Sequence, residues 1–184
     1  QGADAVFLKV YADDKLVKTE SQKLAADKTY ALTVKLKPGL IKYKVEFGAK
    51  AGGTETVLKT VNNLICGDAY IIDGQSNAVA YNYANETNRP DLTRHSSPWI
   101  RSYGGPAGKG EQLNLWCNPV WKAQKGEKAE LGWWGMELAK RLVASNKIPV
   151  FIINGAVGGT RIDQHERSKS NPADLDTIYG RMLW

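Results

Sequence analysis

The hydrophobic pattern of this chain changes period once, near residue 64, and that change excludes a single uniform architecture. Upstream, "AVFLKVYADDKLVK" alternates apolar and polar residues and turns at Asp13-Asp14. "KTYALTVKLKPGLIKYKVEFGAK" alternates again, with Pro38-Gly39 between two such runs, and "GGTETVLKTV" adds a strand after Gly52-Gly53. Successive strand side chains point to opposite faces, so a period of two marks strands buried on one side. Short strands punctuated by turns predict a small antiparallel β-sandwich over residues 1–63. No cluster of His, Asp, Ser or Cys stands out in it, and it reads as a structural or carbohydrate-facing accessory module.

Residues 64–184 read differently. "LICGDAYIIDG" is a continuous apolar strand, the pattern of a parallel sheet covered on both faces. A loop-rich stretch from Asn77 to Gly132 follows, holding Pro90, Pro98, Gly104-Gly105-Pro106 and Pro119. "WWGMELAKRLVASN" then places Trp134, Leu138, Leu142 and Val143 at helical spacing. "IPVFIINGAVGGT" is a second buried strand that ends in glycine, and residues 174–184 begin another helix. Strand, helical crossover and strand make a βαβ unit with parallel strands. Ligands of open α/β sheets bind outside the carboxyl ends of the strands. Gln75-Ser76-Asn77 and Gly155 to Thr160 occupy two such ends, and the topology brings them to one edge.

A serine hydroxyl becomes a nucleophile when a base takes its proton and donors stabilise the oxyanion its attack creates. The turn after the first strand exposes Ser76. The glycines at 158 and 159 let backbone N–H groups approach a substrate without an intervening side chain, and the Ser76 N–H is a further donor. "GGT" lacks the Lys-Ser/Thr of a P-loop, and the full GxGxxG fingerprint is absent. The net charge is +6, but the lysines are scattered at strand spacing and read as solvated faces and edge protection. A nucleic-acid surface would show a dense basic stripe. No run of 18 apolar residues exists to span a membrane. Cys66 and Cys117 lack metal-ligand spacing; they either pair in an oxidising compartment or are buried thiols, with burial favoured.

"GDAYIIDGQSNA" and "FIINGAVGGTRID" resemble the first two blocks of the SGNH (GDSL-like) hydrolases. Within that superfamily the chain is similar to the sialate O-acetylesterase-like carbohydrate esterases, which carry GQSN where others have GDS. The resemblance covers roughly residues 64–184. It implies an α/β fold with a flavodoxin-like three-layer sheet, of which this sequence is the front portion, behind a β-rich domain. It implies Ser76 as nucleophile and the N–H of Gly159, with Gly158 as close competitor, in the oxyanion hole beside that of Ser76. Gln75, Asn77, Thr160 and Arg161 are implied in substrate binding. Such enzymes use no metal or organic cofactor, and the partner implied is an acetylated carbohydrate, in a secreted or periplasmic setting. Which acetylated sugar is bound stays open.

The family's third block, with its oxyanion-hole Asn, and its Asp-x-x-His are not matched in the sequence. The two histidines are His95 and His165. His95 lies in a Ser- and Pro-rich loop, and His165 follows Asp163 in a polar one, where it reads as a surface or substrate-edge residue. The expectation is therefore a front portion of an esterase, inactive by itself, whose remaining catalytic groups come from downstream sequence. Trp99, Tyr103, Trp116, Trp121, Trp133 and Trp134 lie between the motif strands and suit sugar stacking or core packing, the last two as packing residues. The alternative reading is a non-catalytic carbohydrate-binding or adhesion module on the same fold. "NET" at Asn85 matches a glycosylation sequon, a frequent chance match.

Overall fold

The computed structural model describes residues 2–79, 97–103, 116–117, 119 and 131–183, with the side chains of Cys117 and Leu183 left aside. Asn85, His95 and Trp121 lie outside the described residues. The chain divides into two compact units, residues 1–66 and 67–184.

The first unit is one antiparallel sheet of order β2-β1-β3-β4. Its strands are β1 (Ala5–Ala12), β2 (Lys15–Lys23), β3 (Gly39–Ala51) and β4 (Thr54–Cys66). Asp13 and Asp14, at φ 45° and 64°, form the two-residue connection of β1 and β2, the backbone whose twist matches that of the strands it joins. Gly52 and Gly53 repeat the device between β3 and β4 at φ 55° and 87°. Among the described residues of this unit there is no second sheet, so the expected two-sheet sandwich is instead one sheet with an irregular cover. The segment 29–38 forms no ladder, although Leu32, Val34 and Leu36 are half-buried while Ala31, Thr33, Lys35 and Lys37 are exposed. It is held by Tyr30 stacked on Phe47 at 5.4 Å, by the Tyr43 hydroxyl donating to the Lys37 carbonyl at 3.0 Å, and by the Cys66 thiol against the Leu36 carbonyl at 3.5 Å. Alternation reports an extended chain with one face on apolar surface; it does not report which groups its backbone bonds.

One face of this sheet carries charge. Lys9 and Lys50 both pair with Glu55, and Glu46 accepts from Tyr11 and pairs with Lys44. The Lys9 ammonium first, then Lys50, holds the Glu55 carboxyl below the usual glutamate range, and Lys44 followed by Tyr11 does the same for Glu46. A carboxyl with a lowered native pKa stabilises the fold fully above its unfolded pKa and loses that contribution as pH falls through the native one. Urea unfolding of the first unit is therefore expected to shift to lower midpoint on acidification through the glutamate range, and less so in high salt, which screens exposed pairs. An acid-insensitive midpoint would show these pairs to be energetically silent.

The second unit is α/β, with a mixed sheet of order β5-β8-β6-β7. Its strands are β5 (Asp68–Ile72), β6 (Ile100–Tyr103), β7 (Trp116–Cys117) and β8 (Val150–Asn154). β5 and β6 each pair in parallel with β8, while β7 runs antiparallel to β6. The expected βαβ pair is present with β8 directly beside β5, and β6 and β7 join it from the stretch expected to be loop. "LIC" belongs to the first unit, because Leu64 and Cys66 pair with Tyr43 and Gly39 on β3. The apolar run breaks at Gly67, where a Cβ would collide with the Pro149 backbone.

The helices are α1 (Ser76–Val79), α2 (Gly132–Asn146) and α3 (Ile178–Leu183). Helix α2 covers the sheet face formed by Ile72, Ile100, Val150 and Ile152, with Met136 and Ala139 in the core and Trp134, Leu142 and Val143 packed against it. Gly135 permits this approach, since a Cβ there would stand 2.9 Å from the Ile72 Cδ1. Leu138, expected on the apolar stripe, is instead exposed, because the helix approaches through its small residues. The opposite sheet face bears Ile71, 62% exposed, and Trp116, 59% exposed.

Candidate active site

The two strand ends meet through the backbone. The Gly155 N–H donates to the Ile72 carbonyl at 2.8 Å, and the Val157 N–H donates to the Gly74 carbonyl at 2.9 Å. The parallel ladder thus continues beyond β5 and β8, and it carries the serine turn and the glycine turn out of the sheet side by side. Gly155 is packed beneath α3, where a Cβ would overlap the Met182 side chain.

At the first end, Gly74 takes φ 137° and the chain turns into α1. The Gln75 carbonyl receives the Ala78 and Val79 N–H groups at 2.8 and 3.0 Å, which makes Gln75 the residue that opens this short helix. Gln75, Ser76 and Asn77 are all exposed. The Ser76 hydroxyl donates to the Gln75 Oε1 at 2.9 Å. An amide oxygen does not take up a proton at neutral pH, so this contact orients the hydroxyl without activating it. The Asn77 carbonyl accepts from the Trp134 indole at 3.1 Å, which ties α1 to α2.

At the second end, Gly158 and Gly159 are exposed, and Gly159 has φ 77°. That left-handed backbone favours glycine at 159; Gly158 does not share it. Among the described residues, no acceptor takes the N–H of Ser76, Gly158 or Gly159. Asn154 shapes the turn: its Nδ2 donates to the Leu131 carbonyl at 3.2 Å and its Oδ1 accepts from the Ala156 N–H at 3.0 Å. Asn154→Ala strands both backbone groups and is expected to cost about 1–3 kcal/mol, read as a lower urea midpoint for the second unit. An unchanged midpoint would show that water replaces both bonds.

His165 departs from its expected surface position: its side chain is 7% exposed. Nδ1 lies 2.7 Å from the Asp73 Oδ1 and Nε2 lies 2.7 Å from the Thr160 hydroxyl. Asp163 is engaged elsewhere, because the Arg161 Nε and Nη2 donate to its two carboxylate oxygens at 2.9 and 2.8 Å. This fork holds the Asp163 carboxyl below the usual carboxylate range. His165 therefore pairs with an aspartate, and that aspartate is the one three residues before Ser76. Sequence reasoning missed Asp73 and Asn154, although both sit at strand ends, where it had already looked for Ser76 and Gly159.

Aromatic residues gather on the sheet face opposite α2. Trp116 packs on Tyr103 at 4.9 Å and edge-on to Phe151 at 5.2 Å. Trp99 is half-buried, and its carbonyl accepts from the Val150 N–H at 2.9 Å. No group of three or more His, Cys, Asp or Glu suited to a metal ion occurs among the described residues. Nor is any described helix long and apolar enough to cross a membrane.

No protein-family model and no curated protein matches the sequence. Among solved structures, the chain is similar to a carbohydrate acetylesterase from Xanthomonas citri, with a TM-score of 0.49 and 20% identity. The match covers 100% of this chain and 42% of that one, so the chain spans less than half the length of that structure.

Proposed function

We propose that the chain is the nucleophile-bearing portion of a serine esterase, of SGNH type, that removes O-acetyl groups from carbohydrate outside the cytoplasm, secreted or periplasmic. The observation that carries this reading is the pair of backbone bonds from Gly155 to Ile72 and from Val157 to Gly74, which keep the serine turn and the glycine turn adjacent. In the proposed reaction the Ser76 Oγ attacks the acetyl carbonyl as a base removes its proton. The developing oxyanion accepts from the N–H groups of Ser76 and Gly159. The proton passes to the departing sugar oxygen, and water then hydrolyses the acetyl-enzyme by the same route in reverse roles. Gly159 is preferred to Gly158 as donor because it alone of the two holds the left-handed backbone at the tip of the turn. Gln75 and Asn77, which flank the nucleophile, and Arg161, which follows the glycine turn, are assigned to substrate binding, and the exposed ring of Trp116 suits a sugar face.

Neither nitrogen of His165 is available to Ser76 in this arrangement, since both already have partners. His95 lies outside the described residues, and this reading assigns the base to an Asp-x-x-His block downstream of residue 184, as the resemblance in the sequence implies. The test compares residues 1–184 with the gene product that includes its downstream sequence, on p-nitrophenyl acetate, acetylated xylan and O-acetylated sialic acid. Turnover is expected from the longer protein alone. Ser76-dependent turnover by residues 1–184 would place the base within this sequence. A longer protein that neither turns over nor is labelled by a fluorophosphonate would favour the non-catalytic carbohydrate-binding module.

A further inference from the structure

Among the described residues the glycine turn has little packing to hold it: a Cβ added at Gly158 or Gly159 would meet none of them within 4 Å, so the turn's position depends on how its two ends, Val157 and Thr160, are tied down. Those ends belong to a closed circuit of hydrogen bonds. The Val157 N–H donates to the Gly74 carbonyl at 2.9 Å, and the Val157 carbonyl accepts from the Thr160 hydroxyl at 2.6 Å. The same hydroxyl oxygen lies 2.7 Å from the His165 Nε2, whose ring reaches the Asp73 Oδ1 at 2.7 Å. Asp73 closes the ring by accepting the Gly74 N–H at 2.8 Å. With the Thr160 hydrogen directed at Val157, the threonine oxygen accepts from the Nε2–H and the Asp73 carboxylate accepts from the Nδ1–H, so the circuit closes with both ring nitrogens as donors.

We propose that His165 is a positioning residue, clamping the glycine turn to the serine turn through Thr160 and Asp73. The consequence for chemistry rests on the esterase reading above: the clamp fixes where the Gly159 N–H stands relative to Ser76. An imidazole suits this task because it is rigid and presents one nitrogen at each end, and this one is almost fully withdrawn from water. Burial removes the competing solvent that weakens such links at a surface. The circuit touches Ser76 only through the backbone, so it sets geometry without taking part in proton transfer.

Amide hydrogen exchange on residues 1–184 tests the clamp without any need for activity. In His165→Ala and Thr160→Val, the Val157 amide is expected to exchange at least about tenfold faster, as a local opening replaces a closed turn. Thr160→Ser keeps the hydroxyl and is expected to exchange at the native rate. The amides of Met136 and Ala139 in α2 serve as the control and should be unchanged. Native exchange at Val157 in His165→Ala would overturn the proposal. So would acceleration spread equally over α2, since His165 would then merely support the fold. In the longer, active gene product, His165→Ala should lower kcat by about 10–100-fold with little change in KM, as expected when a reacting group is misplaced by a fraction of an ångström to an ångström. Absence of turnover in the native longer protein would refute the esterase reading and leave the exchange result to decide the clamp.

Discussion

On the esterase reading proposed above, Ser76→Ala in a protein that carries the proposed downstream portion is expected to reduce acetyl-ester hydrolysis by at least about a thousandfold while leaving the fold intact. Removal of a nucleophile from a serine hydrolase abolishes the covalent route, and what survives comes from oxyanion donors and binding, so losses of ~10³–10⁶ in kcat are the rule. The structural side of the prediction follows from the environment of the hydroxyl. It is exposed, and it makes one contact among the described residues, to the side chain of its neighbour Gln75. Deleting such an oxygen strands no buried partner, and the change in stability should stay within about 0.5 kcal/mol. The measurement is a pair: kcat on p-nitrophenyl acetate and a urea midpoint. Retained turnover with an unchanged midpoint would remove Ser76 from the mechanism. Fluorophosphonate labelling of the native protein at Ser76, absent in the variant, checks the same assignment by mass.

Phe7→Ala is expected to have the largest effect on stability. Phe7 is 0% exposed and is paired directly with Gly48 of β3, where a Cβ would overlap its ring. The Lys9 and Lys50 ammonium groups stand 5.1 and 5.8 Å from the ring centroid, so the ring carries cationic neighbours as well as burial. Truncating a buried phenylalanine costs about 3–5 kcal/mol, because the lost transfer energy is joined by a cavity that stiff neighbours do not fill. A unit of 66 residues has a total stability of only about 3–10 kcal/mol, by the usual per-residue scale of about 0.05–0.15 kcal/mol. The variant should therefore populate an unfolded first unit in mild denaturant, seen as early loss of its tyrosine near-ultraviolet signal. A midpoint within experimental error of the native one would mean that the glycine opposite lets the sheet close over the gap.

The fold was legible where burial writes a period into the sequence. "DAYII" and "VFIIN" became parallel neighbours, as continuous apolar runs predict. The segment around Leu32, Val34 and Leu36 misled, because its alternation is real while its backbone joins no ladder. Strands β6 and β7 were missed because four and two residues are too few for a period to show, and their place depends on the sheet they join. In α2 the helix and most of its packed face were legible, since Trp134, Leu142 and Val143 lie against the core, but Leu138 is exposed and close approach at Gly135 turned Met136 and Ala139 inward. At the candidate site, the adjacency of the Ser76 turn and the Gly159 turn was legible, because both follow strands read as parallel neighbours. Asp73 and His165 could not, because an aspartate 92 positions from a histidine becomes its partner only through the parallel pairing of β5 and β8.

That pairing also governs when the site can exist. The serine turn and the glycine turn are separated by roughly eighty residues of chain, and loop closure of that length carries an entropic cost that local structure does not repay. Helix α2 forms from near neighbours, but the extension of the ladder from Ile72 to Gly155 and from Gly74 to Val157 needs the strands already registered. Such non-local contacts are slow to form in any chain. The candidate site is therefore expected to assemble late in the folding of its unit, as a product of strand registration, so that its formation reports on some of the most distant contacts this part of the molecule makes.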